Sequence, residues 1–223
     1  MSTLENTKSR LSIDVVSDVV CPWCFIGKRR LEKALTLCPD IDVTVNWRPF
    51  FLNPWVPPEG MSRRAYLEAK FGSVERYQQN MPRMVDAGAQ EGIPFAFDRM
   101  QWQPNTLDCH RVLRWALEDH VQPALKERLM VLYFMEGADL RDPEVLIQAA
   151  VACGMNGESV RTRLASDTDK AEVEAEAQSA NAAGITGVPC FVLGNAFAVS
   201  GAQDAETLAN AMYRAVASAP ATQ

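Results

Sequence analysis

The sequence has no long apolar run and no excess of positive charge, and each absence excludes a class of function. Its longest uninterrupted apolar stretch, residues 129–135, is far shorter than the roughly 20 residues that a membrane-spanning helix needs. Lysine and arginine number 22 against 28 acidic residues, a net charge of −6. The basic footprint of a nucleic-acid-binding protein is therefore missing, and an anionic membrane surface would repel the chain. We expect neither nucleic acid nor membrane as a partner.

Histidine is also scarce, and the first ten residues lack an apolar segment. Only His110 and His120 are present, which limits the metal sites that the chain could build. The opening MSTLENTKSR is polar, unlike a secretory signal, so we expect a cytoplasmic protein. The 223 residues, 48% of them hydrophobic and 22% charged, have the composition of an ordinary globular protein. This length predicts one large domain or one domain that carries an insertion.

The six cysteines are too few for a chain of this length to be a disulfide scaffold. Only Cys21 and Cys24 are closely spaced; the others are Cys38, Cys109, Cys153 and Cys190. In a reducing compartment a Cys-x-x-Cys pair is typical of redox catalysis or metal binding. Zinc would need two further ligands, and no second pair exists. Cys109 and His110 could in principle supply them, but adjacent ligands are poorly spaced, and we expect no metal.

Periodicity divides the chain into an α/β part and a helical part. Apolar patterning predicts strands at 11–16 and 42–47 with an amphipathic helix between them, which is typical of a βαβ unit. From residue 60 to about 183 the pattern is almost wholly helical. Strands return at 188–193 and 196–199, joined by Gly194-Asn195, a two-residue hairpin signal, and a helix follows at 204–217. The helices predicted within the helical part are 63–71, 74–88, 106–119, 123–135, 143–153, 158–164 and 168–183.

The Cys21-Pro22-Trp23-Cys24 motif precedes a predicted helix, and this position makes Cys21 a nucleophile. Free backbone N–H groups and the helix dipole at an N-terminus stabilise a thiolate, the only form that attacks. Pro22 suits the first helical position, where its missing N–H has no cost. Cys24 lies one turn deeper and would resolve a mixed disulfide by attacking Cys21.

Val188-Pro189 is the second unusual feature, because proline at the start of a core strand removes a ladder hydrogen bond. A cis bond in a tight turn would account for it. Together with CPWC, this dipeptide makes the chain resemble the thioredoxin fold, and the helical insertion is similar to that of the DsbA family. The strings IDVVSDVVCPWCFIGKRRLEKAL, WRPFFLNP, NTLDCHR and GITGVPCFVLGNAFAVSGAQ resemble the FrnE-like subgroup of that family. The similarity extends over residues 11–217.

The resemblance implies a thioredoxin-like domain formed by 11–55 and 184–218, with a helical insertion domain at 60–183. It implies a thiol–disulfide oxidoreductase whose catalytic residues are Cys21, Cys24 and Pro189. The Val188 backbone would pair with the substrate, a protein disulfide or a glutathione mixed disulfide. No cofactor is implied beyond glutathione as a possible co-substrate, and a homodimer stays open.

Further residues have two readings each. Asn53 would lie near the cleft by family analogy, although turn chemistry also explains it. Ser200, Gly201 and Asp204 could hold a substrate carboxylate at a helix N-terminus or simply cap that helix. Cys109 and Cys190 stand where apolar residues are expected from the family, and each could be a resolving thiol or a small buried hydrophobe. For Cys38 and Cys153 we expect a small buried hydrophobe. Lys28 and Arg29 could steer an anionic thiol or form a solvated helix face.

An alternative function is a glutathione-dependent isomerase or transferase similar to 2-hydroxychromene-2-carboxylate isomerase or the kappa-class transferases. Those enzymes use a serine-type site, whereas this chain has two cysteines. A third hypothesis is a non-enzymatic redox sensor or chaperone-like module that holds unfolded chains in an apolar cleft.

Overall fold

A computed structural model describes residues 8–194 and 197–218, and its centre is a four-stranded sheet. The strands are β1 (Ser9–Ser17), β2 (Ile41–Pro49), β5 (Cys190–Leu193) and β6 (Phe197–Ser200), in the order β2-β1-β5-β6. β1 pairs parallel with β2 and antiparallel with β5, and β5 pairs antiparallel with β6. The sheet therefore joins the two α/β segments, as the patterning predicted. Asn195 of the predicted hairpin turn lies outside the described residues.

Helix α1 (Pro22–Thr36) connects the parallel strands β1 and β2, which confirms the predicted βαβ unit. β1 begins two residues earlier and ends one residue later than predicted, and β2 begins one residue earlier and ends two residues later. Ile13 and Val15 on β1 are fully buried because they lie beneath helices on the sheet. One core cluster unites β1 with α1 and the last helix, α9 (Ala205–Ser218).

The segment between β2 and β5 is helical, as predicted, with one addition and one correction. The addition is a two-stranded ribbon of β3 (Met61–Ser62) and β4 (Trp102–Gln103), too short to produce an alternating pattern. The correction concerns the helix predicted at 123–135, which ends as an α-helix at Val131 and continues as a π-helical turn, Leu132–Glu136. The helices of this segment are α2 (Arg63–Phe71), α3 (Val74–Gln90), α4 (Leu107–Glu118), α5 (Gln122–Val131), α6 (Pro143–Ala152), α7 (Gly157–Leu164) and α8 (Lys170–Ala182).

The first turns of α1 connect the sheet to the helical segment. Cys24, Phe25 and Ile26 are fully buried in a second core cluster with α4, α5 and α6. The N-terminus of α1 thus lies where the two parts of the fold meet. The division into 11–55 with 184–218 and 60–183 stays a prediction. Among the residues that the structure describes, no helix is both long and apolar enough to cross a bilayer.

Candidate active site

Cys21 occupies the N-cap of α1, the position that the motif predicted. Its backbone is extended, Pro22 begins the helix, and no side chain caps the first turn. The carbonyl oxygen of Cys21 accepts from Cys24 N at 3.0 Å and Phe25 N at 3.3 Å, so the residue is anchored to the helix. The side chain of Cys21 is only 3% exposed, and Trp23 beside it is half-buried.

The two thiols of the motif have opposite pKa shifts. The Cys24 thiol donates toward the Cys21 sulfur and lowers the pKa of Cys21, and the backbone N–H groups of Cys24 and Trp23 lower it further. Burial and the nearby Asp18 carboxylate oppose this shift without cancelling it. Burial, followed by the interaction with Cys21, raises the pKa of Cys24 well above its ordinary value. Cys21 is thus the thiol that ionises first, as a nucleophile must.

The loop before β5 brings Val188 and Pro189 to this thiol from 167 positions away along the chain. The Val188–Pro189 bond is cis, which confirms the expectation from sequence. Cys21 Sγ lies 3.7 Å from the Val188 carbonyl oxygen. On the other side, the Pro189 ring packs against Gly27 of α1, where a Cβ would lie 2.8 Å from Pro189 Cγ.

A buried acid, Asp18, lies beneath the motif. Asp18 is fully buried; its Oδ2 accepts from Leu52 N at 2.9 Å and from Thr106 Oγ1 at 3.3 Å. Its Oδ1 lies 3.3 Å from His110 Nε2. Burial disfavours the carboxylate, but His110 and the Leu52 N–H outweigh it, and the pKa of Asp18 is lowered. His110 is thus a buried polar residue packed against Asp18.

A buried lysine of α5, Lys126, completes the cluster, and the sequence analysis missed it. Its ammonium has no hydrogen-bond partner among the described residues and lies 5.6 Å from the Trp47 ring centroid. Burial lowers the pKa of Lys126, and the negative charges of Cys24, Asp18, Cys21 and Cys109 resist this decrease. The sequence pattern could have indicated that Lys126 is buried, because it falls on the face of α5 that also buries Leu125 and Leu129.

The remaining predicted site residues lie around the motif rather than on it. Asn53 is buried, and its Oδ1 accepts from Tyr66 and from Lys70, a residue that lines the cleft beside Cys21. Gly201 donates its N–H to the Pro189 carbonyl oxygen at 2.8 Å, so that donor is used inside the fold. Asp204 accepts from Thr207 N at 2.7 Å, which is the capping arrangement. Their roles in substrate binding stay predictions.

The other four cysteines are free thiols, and burial raises the pKa of each. Cys109 is fully buried in α4, and Asp18 adds to the increase in its pKa. Cys190 follows Pro189, and its Sγ lies 4.0 Å from Ser200 Oγ. A raised thiol pKa disfavours the thiolate, so the surroundings of Cys38, Cys109 and Cys190 agree with small buried hydrophobes rather than nucleophiles. Cys153 is only partly buried.

The surroundings of Lys28 and Arg29 differ from those that the sequence predicted. Lys28 is 3% exposed and forms ion pairs with Glu32 and with Glu127, the latter at 2.8 Å. Arg29 also pairs with Glu127. For Lys28 the prediction of a solvated face was wrong, because Glu127 of α5 packs against this side of α1. Arg29 is one-third exposed, and Glu32 and Glu127 together balance the charges of the two cations. A steering role for either residue stays a prediction.

A cleft of about 440 Å³ opens beside Cys21. One edge is the motif itself with Val188, and the opposite wall comes from α2 and α3. Most of its lining is apolar or aromatic, and three basic side chains point to it: Arg63, Lys70 and Arg83. The site therefore combines an ionisable thiol, a facing backbone carbonyl and a space for a substrate.

Comparisons with known proteins agree with this geometry. Residues 12–213 match the family described as DSBA-like thioredoxin domain. A crystal structure of a probable DsbA oxidoreductase, SCO1869, from Streptomyces coelicolor is 33% identical and has a TM-score of 0.85; the match covers 96% of this chain and 93% of that one. The uncharacterized protein YwbO of Bacillus subtilis (strain 168) is 27% identical over 186 residues, 82% of this chain and 86% of the relative. A 2-hydroxychromene-2-carboxylate isomerase structure shares the fold at 15% identity and a TM-score of 0.69, with 91% and 95% of the two chains covered.

Proposed function

The chain belongs to the DsbA-like thioredoxin domain family, and from this premise we propose that it is a thiol–disulfide oxidoreductase that acts through Cys21 and Cys24. The observation that carries the proposal is the contact between Cys21 Sγ and the Val188 carbonyl oxygen at 3.7 Å. It joins the thiol with the lowered pKa to a loop whose backbone can align a substrate. We place this activity in the cytoplasm and assign it no bound cofactor.

In the first step the Cys21 thiolate attacks one sulfur of a disulfide RSSR. A Cys21–SR bond forms as the S–S bond of the substrate breaks, and RS⁻ leaves and takes a proton from solvent. The lowered pKa of Cys21 supplies the thiolate, and the cleft accepts the substrate.

In the second step Cys24 loses its proton and attacks Cys21 Sγ, which releases the second RS⁻. The products are one enzyme disulfide and two thiols, so the enzyme is oxidised by the two electrons that the substrate gains. The raised pKa of Cys24 would slow this step if its thiolate had no electrostatic support. Lys126 lies close enough to lower that pKa, so we assign it the role of stabilising the Cys24 thiolate. The reverse sequence oxidises substrate thiols.

Trapping tests the assignment of the two thiols. We expect Cys24→Ser to accumulate a mixed disulfide with a substrate such as insulin, because Cys21 attacks and nothing resolves the product. We expect Cys21→Ser to abolish insulin reduction and to trap nothing. Cys153→Ser, a change at a partly exposed cysteine outside the motif, is the control and should behave as wild type. Trapping by Cys21→Ser instead of Cys24→Ser would reverse the roles.

The isomerase or transferase alternative gains no specific support, because the shared fold at 15% identity does not extend to chemistry. The two cysteines at the helix N-terminus favour disulfide exchange. Glutathione-dependent isomerisation of a chromene carboxylate, with no reaction toward disulfides, would contradict our proposal. Inactivity in both assays would favour a binding module.

A further inference from the structure

The charge of the cleft beside Cys21 differs from that of the protein as a whole. The chain carries a net charge of −6, yet no carboxylate is among the described residues that line the cleft. Its three cations, Arg63, Lys70 and Arg83, form no ion pair within residues 8–194 and 197–218. Lysines and arginines elsewhere on the chain are mostly paired; Arg64, next to Arg63, binds Glu68 at 2.8 Å.

Aromatic rings and neutral oxygens, rather than acids, contact these cations: Arg63 donates to Gln103 Oε1 at 2.9 Å, and Lys70 donates to Asn53 Oδ1. The Arg63 guanidinium lies between the rings of Tyr66 and Tyr77, at 5.0 and 5.4 Å from their centroids. The Lys70 ammonium is 5.6 Å from the Tyr66 centroid. A ring face attracts a cation without neutralising it, so the positive charge of these groups remains available to a ligand.

Arg83 extends the positive charge to the motif itself. Its guanidinium lies 5.8 Å from the centroid of the Trp23 ring, on the residue between the two cysteines. Burial lowers the pKa of Lys70, and the nearby Cys21 thiolate opposes that decrease, which places Lys70 within electrostatic range of the motif. A cation of α2 and a cation of α3 thus both lie near the motif and line the same cleft.

We propose that this cleft selects an anionic disulfide of low molecular mass, with glutathione disulfide as the model compound, over an extended protein chain. The inference rests on the proposed function and names its substrate class. Lys70 and Arg83 would bind the substrate carboxylates, and the aromatic wall would pack against its aliphatic parts. A cleft of about 440 Å³ has the size of a small-molecule site. The chemistry is the exchange described above, with RSSR as the oxidant and two RS⁻ as products.

The test compares two small disulfides of opposite charge in a single turnover. Reduced enzyme is mixed at low ionic strength with anionic glutathione disulfide or with cationic cystamine, and loss of the dithiol is followed. The readout is the ratio of the two second-order rate constants, measured for wild type, Lys70→Gln, Arg83→Gln and the double variant. Arg76→Gln is the matched control, because Arg76 is an exposed arginine of the same helix as Arg83 and lies outside the cleft.

We expect each single variant to lower the ratio of glutathione disulfide to cystamine about fivefold, and the double variant about 10- to 100-fold, as electrostatic steering does. The ratio for Arg76→Gln should stay within about twofold of wild type. Salt near 1 M shortens the screening length to about 3 Å and should remove most of the preference of the wild type.

A ratio that stays constant across the cleft variants would overturn the inference. An equal loss of rate with both disulfides would also overturn it, because the cations would then act on the reactivity of Cys21 and not on the substrate. If the ratio stays constant while all variants reduce insulin at the wild-type rate, the inference fails and the proposed function still stands. If reduced wild type reacts with no disulfide, the proposed function fails together with the inference.

Discussion

Gly27 on the second turn of α1 is the position where one added methyl group should disturb both stability and catalysis. The Cβ of Gly27→Ala would lie 2.8 Å from Pro189 Cγ and 3.3 Å from Phe191 Cζ. Two carbon atoms pack best at about 3.5–4.0 Å, so the helix and the proline must separate by about 1 Å. The proline ring is rigid and cannot rotate away as a flexible side chain would.

Two opposing effects set the expected change in the free energy of unfolding. Alanine inside a helix gains about 1 kcal/mol over glycine. Overpacking a dense core costs about 1–3 kcal/mol. The clash is below 3 Å and its partner is rigid, so we expect overpacking to win by about 1 kcal/mol, which lowers the melting temperature by roughly 2–4 °C in a chain of this size.

Catalysis should suffer more than stability. The displaced Pro189 is bonded to Val188, whose carbonyl oxygen lies 3.7 Å from Cys21 Sγ. A misplacement of about 1 Å in a positioned site can reduce the rate about 100-fold, so we expect disulfide turnover to fall about 10- to 100-fold.

Urea unfolding and insulin reduction measure the two effects of Gly27→Ala. The stability control is Gly187→Ala, since a Cβ there has no neighbour within 4 Å; its free energy of unfolding should change by less than about 0.5 kcal/mol. A Gly27→Ala protein that is more stable than wild type and fully active would show that α1 and Pro189 are not packed as described.

The other predictions concern the thiol pair and the buried charges. The rate at which wild-type Cys21 reacts with iodoacetamide should rise with pH, with its midpoint below about pH 8.5. This midpoint should lie at a higher pH in Cys24→Ala than in Cys24→Ser, because only serine retains a donor to the Cys21 sulfur. Equal midpoints in the two variants would contradict that donor role. Lys126→Met should raise the free energy of unfolding by about 1–3 kcal/mol near neutral pH and slow the resolving step, since burial lowers the pKa of Lys126 and the buried ammonium has no hydrogen-bond partner among the described residues. Because the pKa of Lys126 is lower in the folded state, its charge destabilises the fold at any pH where the unfolded lysine is protonated. The stability gained by Lys126→Met should therefore shrink as the pH rises toward about 10.4. A gain that does not depend on pH would show that the buried charge is not its cause. Arg111→Leu should cost about 3–5 kcal/mol in urea unfolding, because Arg111 is fully buried and donates to the carbonyl oxygens of Arg163, Ser166 and Thr168 at 2.6–2.8 Å. The control is Arg114→Leu, at a partly exposed arginine of the same helix that pairs with Glu176; it should cost less than about 1 kcal/mol, and similar losses would refute the role of burial.

Local patterns in the sequence were sufficient for the motif and for most elements of the fold. Cys21 at a helix N-terminus follows from the adjacent strand, proline and amphipathic helix. That the strands of 11–55 and 184–218 belong to one sheet could be predicted, but the pairing of β1 with β5 was found only in the structure. Apart from the π-helical end of the helix predicted at 123–135, helix limits differed by one or two residues, where capping and packing compete with periodicity.

What the sequence could not provide was the surroundings of single polar side chains. Asp18, His110 and Lys126 come from the end of β1, from α4 and from α5, and only the packing of these elements brings them beneath the motif. The prediction that Lys28 is solvated was wrong for the same reason, since its partner Glu127 lies on α5. Pairing across elements decides whether a charge is solvated, neutralised or functional, and periodicity within one element does not contain that information.

The distance along the chain between Cys21 and Val188 also has a consequence for biosynthesis. Chains are synthesised from the N-terminus at roughly 5–20 residues per second, so the 167 positions between them correspond to about 8–30 s of translation. During that interval both thiols of the motif exist on the nascent chain without the loop that faces them and without the final strands of the sheet. Until β5 is made and docks beside β1, the nascent protein is itself a dithiol that other oxidants in its compartment can attack. Its own maturation therefore depends on the redox balance around the ribosome.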